Sequence, residues 1–470
     1  MECIGCKCNR PVAPTEGEPM TPTLPPYPAY KDSSVPWLGK VPEHWEVRRL
    51  KHICRFVYGD ALPDASRKEG SIPVYGSNGR VGFHSVPNAQ SPCIVIGRKG
   101  SFGKVQYSDV PVFAIDTTFF VDGRFTSAHL RWLFFALGWL CLDKVSKDSA
   151  VPGLDREDAY KRFLFLPPLP EQTAIVRFLD YRDRCVRRSI RAKQKLIKLL
   201  EEYRQALIHQ AVTGKIDVRT GKPYPSYKDS GVPWLGEVPQ HWDVRRLKTV
   251  VDHVNQQTTT KTDEDLYIAL EHVESWTGRL LPPSGEAHFD GQVKRFQAGD
   301  VLFGKLRPYL AKVVRPKQSG VCVGEFLVLR ARAAVAPFYP EVVLRSAPAI
   351  DFMNSSTYGA KMPRVEWTFV GAMLFPVPPL PEQTAIVEYL DAQTAKLDAA
   401  IAAARREIEL LREYRERLIA DVVTGKVDVR EVAVQLPYEP PEEEAGTEEE
   451  EPVAEELATV DSQEEANGEE

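Results

Sequence analysis

The chain has 470 residues, 43% of them apolar, a formal net charge of −5 and 38 prolines. That is enough apolar sequence for several buried cores, but the longest apolar run, Trp132–Leu142, falls short of the about 20 residues a membrane span needs and reads as a buried helix. The charge is segregated: residues 431–470 hold 16 acidic groups and no Lys or Arg, leaving 60 basic against 49 acidic residues elsewhere, a modest excess that suits a polyanionic partner.

In chain order, residues 1–26 read as a Pro-rich disordered leader. Its Cys3, Cys6 and Cys8 resemble half a zinc knuckle, but no fourth ligand lies nearby, so no metal is expected. The remaining cysteines are scattered and no secretory signal precedes them, which points to a reduced, cytoplasmic compartment.

A first α+β domain is expected over 27–168. It opens on a lead-in rich in Pro, Trp and Tyr (27–51) and continues through Gly turns, β-rich runs such as Cys93–Ile96 and a short helix near His129–Leu142. A long helix follows at 169–214. It starts at Pro170-Glu171-Gln172, where Pro needs no N–H partner and the acid suits the helix dipole, and it ends at the Gly214 cap. A linker (215–223) leads to a second domain at 224–379, a second long helix at 380–425 and an acidic tail at 431–470, expected to be disordered and to compete with a polyanionic partner for the basic face.

The chain repeats itself. Tyr30-Lys31-Asp32-Ser33 returns as Tyr227-Lys228-Asp229-Ser230, and Leu169-Pro170-Glu171-Gln172-Thr173-Ala174-Ile175-Val176 returns as Leu380-Pro381-Glu382-Gln383-Thr384-Ala385-Ile386-Val387. The offset is 197 at the lead-in and 211 from Pro152/Pro363 onward, so the 14-residue length difference lies in the middle stretches. This is a whole-domain duplication, not a solenoid period, and internal two-fold pseudo-symmetry suits a two-part partner such as a bipartite DNA target.

Both helices carry heptads. In the second, Leu390, Leu397, Ala404, Leu411 and Leu418 form one seam row, and Val387, Thr394, Ile401, Ile408, Arg415 and Val422 the other. The first has the same register, with Asp183, Lys193 and Arg204 interrupting it. The pattern predicts that the two helices pair as an antiparallel coiled coil of about 63 Å.

Catalytic motifs are missing: no phosphate-binding Gly loop, no Gly-x-Gly strand–helix turn, no metal-spaced His/Cys cluster and no recognisable nuclease core. The expectation is a non-enzyme with no cofactor of its own. The best site candidates are basic turns between strands, which can contact phosphates or guanine edges. In the first domain these are Arg98, Lys99, Ser101 and Lys104, with Asn78 and Arg80 on a second polar turn. In the second they are Lys305, Arg307, Tyr309 and Lys312, with Lys361 and Arg364 further on. Trp45, Trp234, Trp242 and Trp37 read as packing anchors, and His44 and His241 as structural histidines.

The lead-in Tyr-Lys-Asp-Ser-x-Val-Pro-Trp-Leu-Gly-x-Val-Pro-x-His-Trp, the exit Phe165-Leu166-Pro167-Pro168-Leu169-Pro170-Glu171-Gln172 and the order of variable stretch, helix, variable stretch, helix resemble the specificity (S) subunit of type I restriction–modification enzymes over about residues 27–430. The resemblance implies two target-recognition domains, each reading half of an asymmetric, interrupted double-stranded DNA sequence. It implies that the helices set the gap and dock two methyltransferase (M) subunits, with restriction (R) subunits joining through that complex. It also implies that S-adenosylmethionine, ATP and Mg²⁺ chemistry belongs to those partners. The alternatives are a coiled-coil scaffold and a specificity-like subunit of another phage-defence system.

Overall fold

The computed structural model describes residues 24–35, 39–144, 153–262, 264–282, 291–357 and 362–437. The Cys3/Cys6/Cys8 cluster, Trp37 and Lys361 lie outside the described residues, as does most of the acidic tail. The chain divides into two compact units. Of the described residues, one holds 24–191 together with 407–437, and the other runs from Ala192 to Arg406. Each unit thus contains one globular domain and the ends of both long helices.

In the first unit the lead-in forms a hairpin, Tyr30–Asp32 against Lys40–Pro42. Glu46–Arg49 then pairs with Phe163–Leu166, the strand that runs into the first long helix. The centre is a four-stranded antiparallel sheet in the order Val57–Tyr58, Thr118–Asp122, Cys93–Gly97, Val105–Ser108. Every residue of Cys93–Gly97 is buried, as expected of a strand with an unbroken apolar run. A smaller sheet of Gly79–His84, Ile72–Gly76 and Phe113–Ala114 lies beside it in sequence order and carries the Asn78 turn.

The second unit repeats the plan. Tyr227–Asp229 pairs with Glu237–Pro239, and Asp243–Arg246 with Leu374–Val377. Its central sheet runs Val251–Val254, Phe326–Ala331, Val301–Gly304, Val313–Val314. Its second sheet has four strands where the first unit has three, Gln257–Thr258, Val293–Phe296, Gly320–Val323 and Leu266–Ile268. This is where the two copies diverge. Among the described residues no helix is long and apolar enough to cross a membrane.

The long helices span Leu169–Val212 and Leu380–Val423. Their opening Glu-Gln pairs are buried: Glu171, Gln172, Glu382 and Gln383 are all under 7% exposed. Gln383 donates to the Pro378 and Ala334 carbonyls and accepts from the Ala336 N–H; Gln172 donates to Pro167 and accepts from His129. Glu382 accepts from Tyr224 Oη at 3.0 Å, His241 Nε2 at 2.9 Å and Trp242 Nε1 at 2.9 Å, with Arg219 Nη2 at 3.2 Å. Glu171 repeats this with Tyr27 Oη at 2.5 Å and His44 Nε2 at 2.8 Å, while Arg430 stands at 4.0 Å. Burial opposes ionisation of Glu382, but hydrogen bonds from Trp242, His241 and Tyr224 outweigh it and hold the carboxyl below its usual range. The repeated Glu is therefore more than a helix-dipole residue. It ties the lead-in to the helix start, and the two histidines serve it.

The helix ends dock as a repeated pair. In the second unit Gly214, with φ +69°, sits so close to Pro239 that a Cβ would lie 2.4 Å from the ring, and Tyr227 Oη donates to the Lys215 carbonyl. In the first unit Gly425, φ +72°, meets Pro42 in the same way, Tyr30 Oη donates to Lys426, and Asp428 N–H donates to Pro25. Glycine is required at both caps by conformation and by space. The end of each long helix thus completes the domain of the other copy. Two expected boundaries move as a result. Leu24–Tyr27 belong to the first unit's fold, with Tyr27 in its core, and Arg430–Gln435 is a helix with Ala433 buried, because Val429 and Ala433 fill that same core.

The polar heptad positions have partners. Within the first unit Asp183, 7% exposed, is paired with Arg415. Within the second, Arg204 is paired with Asp398, and Arg405 with Glu201 at 3.3 Å. Along the exposed middle of the first helix, Ile190, Lys193, Ile197 and Leu200 are partly covered while most of their neighbours are exposed.

Candidate nucleic-acid interface

In both units a buried central strand ends at a glycine and releases the chain into a basic turn. Gly97 has no room for a side chain, since a Cβ would lie 2.2 Å from the Ser101 carbonyl oxygen. Gly103, φ +75°, is equally confined, with a Cβ 2.1 Å from the Asp143 nitrogen. These constraints fix the turn that displays Lys99 and Ser101, both exposed. Lys104 Nζ donates to the Asn78 carbonyl at 3.0 Å and to Asn78 Oδ1 at 3.1 Å, which brings the two predicted turns together. Arg80 lies over the ring of Phe83, 5.2 Å from its centroid, on an exposed strand that also shows Val81. Arg98 donates to the Asp116 carbonyl at 2.9 Å and lies 5.0 Å from the centroid of Tyr58.

In the second unit Gly304 ends the strand and Lys305 follows, half-buried, with Nζ 4.0 Å from Glu325. Arg307 takes a left-handed conformation, φ 49°, and its N–H donates to Pro363. Tyr309 stands 44% exposed on the short turn after it. Lys312 departs from the expectation of a surface contact. Its ammonium donates to the Leu270 carbonyl at 2.8 Å, and burial holds its pKa below the usual lysine value, so it fastens the turn from inside. Arg364 is likewise engaged, with Nε 3.3 Å from Glu325, and its backbone bridges to Leu306.

Beside Lys305 a polar cleft of about 310 Å³ opens, lined by His253, Asn255, Gln257, Gln292, Glu366 and Trp367 among others. Lys294, at its edge, is held by the Gly324 and Phe326 carbonyls at 3.0 and 2.8 Å. His253 lies against Trp367, ring centroids 5.0 Å apart and the planes tilted by 33°, and its Nε2 has no hydrogen-bond partner. Burial and then the nearby Lys294 and Lys305 lower its pKa, so the ring is held neutral. Sequence reasoning missed this cleft. Its residues come from five separated segments, 253–257, 292–294, 305, 324–327 and 366–367, and only the folded domain brings them together.

Residues 42–199 match the family described as the type I restriction modification DNA specificity domain. Over 405 residues, 83% of this chain and 90% of the relative, the sequence is 21% identical to the specificity subunit of the type I restriction enzyme EcoDI of Escherichia coli. Over 422 residues, 83% of this chain and 95% of the relative, it is 21% identical to the specificity subunit of the type I restriction enzyme MjaVIII of Methanocaldococcus jannaschii. A chain solved in work on complex assembly and conformational transition of the type I R–M system superposes with a TM-score of 0.59 at 18% identity, covering 82% of this chain and 99% of that one.

Proposed function

We propose that this chain, a member of the type I restriction–modification specificity-subunit family, reads DNA sequence for such a complex and leaves methylation and cleavage to partner subunits. The two domains would each read one half of an asymmetric, interrupted target. The observation that carries this reading is the repeated frame with unlike tips. Both units end their central strand at a glycine and follow it with a basic turn, yet the side chains displayed differ from Arg98-Lys99-Gly100-Ser101 to Lys305-Leu306-Arg307-Pro308. A molecule that must address two different half-sites needs one scaffold twice and two sets of readers.

Asn78, Arg80, Lys99, Ser101, Lys305, Arg307 and Tyr309 are assigned to the DNA side, while Lys104, Lys312 and Arg364 hold the turns that carry them. The long helices act as an antiparallel coiled coil that sets the gap. The pairings Asp183–Arg415, Glu201–Arg405 and Arg204–Asp398, in which one number rises as the other falls, support it. The helices also offer the surface on which two methyltransferase subunits would dock, with restriction subunits joining through them.

The test is selection from a random pool of duplex DNA by the full chain in complex with its methyltransferase subunits. Enrichment of one interrupted motif is expected. An unenriched pool from an intact complex contradicts the proposal.

A further inference from the structure

The two central sheets can be aligned strand by strand through their registers. Gly97 pairs with Thr118 as Gly304 pairs with Phe326, so Arg98 and Lys305 occupy the same place, one residue past the strand. Both use that place alike: Arg98 N–H donates to Thr117 and Lys305 N–H to Glu325. The next residues form matching bridges, Lys99 with Gly153 and Leu306 with Arg364. Leu154 N–H then donates to the Arg98 carbonyl as Val365 N–H donates to that of Lys305. Two residues further on, Arg156 and Trp367 each open a short helix. On the other side of the sheet, Tyr58 pairs with Phe119. Its counterpart is Asn255, one residue beyond Val254, which pairs with Val328.

Three positions therefore share one backbone frame and differ in chemistry. In the first unit Tyr58, 47% exposed, is flanked by Arg98 and Arg156, with guanidinium carbons 5.0 and 5.1 Å from its ring centroid. Arg156 Nε makes no hydrogen bond; its ion-pair partner, Glu157 Oε1, stands 3.8 Å away. In the second unit Asn255, Lys305 and Trp367 line the polar cleft together with Gln257 and Gln292. Position by position, the strand tyrosine Tyr58 has become the amide Asn255, the guanidinium of Arg98 the ammonium of Lys305, and that of Arg156 the indole of Trp367. A structural stack would keep its chemistry along with its frame; a reader of unlike sequences keeps only the frame.

We infer that Tyr58/Arg98/Arg156 and Asn255/Lys305/Trp367 are the base-reading centres of the two domains, the first selecting a G·C pair and the second an A·T pair. Arginine presents a donor fork to the O6 and N7 acceptors of guanine, and an amide both donates to and accepts from adenine at N7 and N6. The aromatic ring beside each offers a face to the neighbouring base or thymine methyl.

This rests on the DNA-reading proposal, and the test separates the two. The motif selected by the parent complex from random duplex DNA is compared with those selected by Arg156→Ala and Asn255→Ala complexes. No motif from the parent would overturn the DNA-reading proposal itself. With a parental motif in hand, Arg156→Ala is expected to relax a G·C position in one half-site only and Asn255→Ala an A·T position in the other, with discrimination falling about 10- to 100-fold. The untouched half-site reports that the variant is folded. Unchanged motifs, relaxation of the same half by both variants, or relaxation of the other type of pair overturn the inference. If alanine abolishes binding, Arg156→Lys and Asn255→Ser are read in the same way, and parental motifs from both overturn it.

Discussion

Lys305 and Lys312 lie seven residues apart on one turn, yet their surroundings separate their roles. Lys305 stands 4.0 Å from a carboxylate, whereas Lys312 is committed to a backbone carbonyl inside the domain. Arg307→Ala is expected to weaken binding at one half-site and to flatten its salt dependence, by about one unit of log–log slope for each phosphate that is no longer neutralised, whereas Lys305→Ala, at the base-reading centre, is expected to relax the sequence selected in that half-site. Lys312→Ala is expected instead to lower the unfolding midpoint, since it removes a charged donor from the Leu270 carbonyl and leaves that oxygen only the Val273 N–H, at a cost of about 1–3 kcal/mol. Titrations at several salt concentrations, motif selection and urea melts distinguish them; an Arg307→Ala variant with the parental slope contradicts its assignment. Glu382 belongs to the frame. Its carboxyl sits below the usual value of 4.5, so its stabilisation is complete above that pH and is lost as pH falls through the folded-state value. Glu382→Gln should therefore be less stable than the parent by about 2–4 kcal/mol at neutral pH. The gap should narrow in acid, which urea melts across pH would measure; a gap independent of pH contradicts this account of Glu382.

At the scale of elements, the long helices make the clearest prediction. Removing one heptad from each shortens the pair by about 10 Å, equal to about three base pairs of duplex rise. The selected motif should lose about three base pairs from its gap while both half-sites stay the same, and an unmoved gap contradicts the ruler role. These helices were legible from Pro-Glu-Gln, the Gly caps and the heptads, and their bounds match those expected to within about two residues at each end. Two things were not legible. Asp183 and Arg204 look like defects in a single helix, because their partners Arg415 and Asp398 stand about 200 residues away and antiparallel register must be known before they meet. The reading centres were hidden for a related reason. Arg156 and Trp367 follow the 211 offset, but Tyr58 and Asn255 follow 197, and only strand register joins the two sets. The basic turns were visible because they are local; which of their lysines turn inward depends on residues such as Leu270, far from them in sequence.

At the scale of the molecule, duplication explains the economy of the design. The lead-in, the Glu-centred cluster, the central sheet and the helix cap all occur twice, and each cap closes the domain of the other copy. Divergence is concentrated in the smaller sheets and in what the turns display. That distribution suits a chain whose partners are the same on both sides and whose target is not. The most direct test is methylation sequencing of the native cells with and without the gene. The account predicts an interrupted motif carrying methylated bases that disappears when the gene is deleted and returns with it. A methylome unchanged by the deletion, in cells that express the methyltransferase partner, would contradict it.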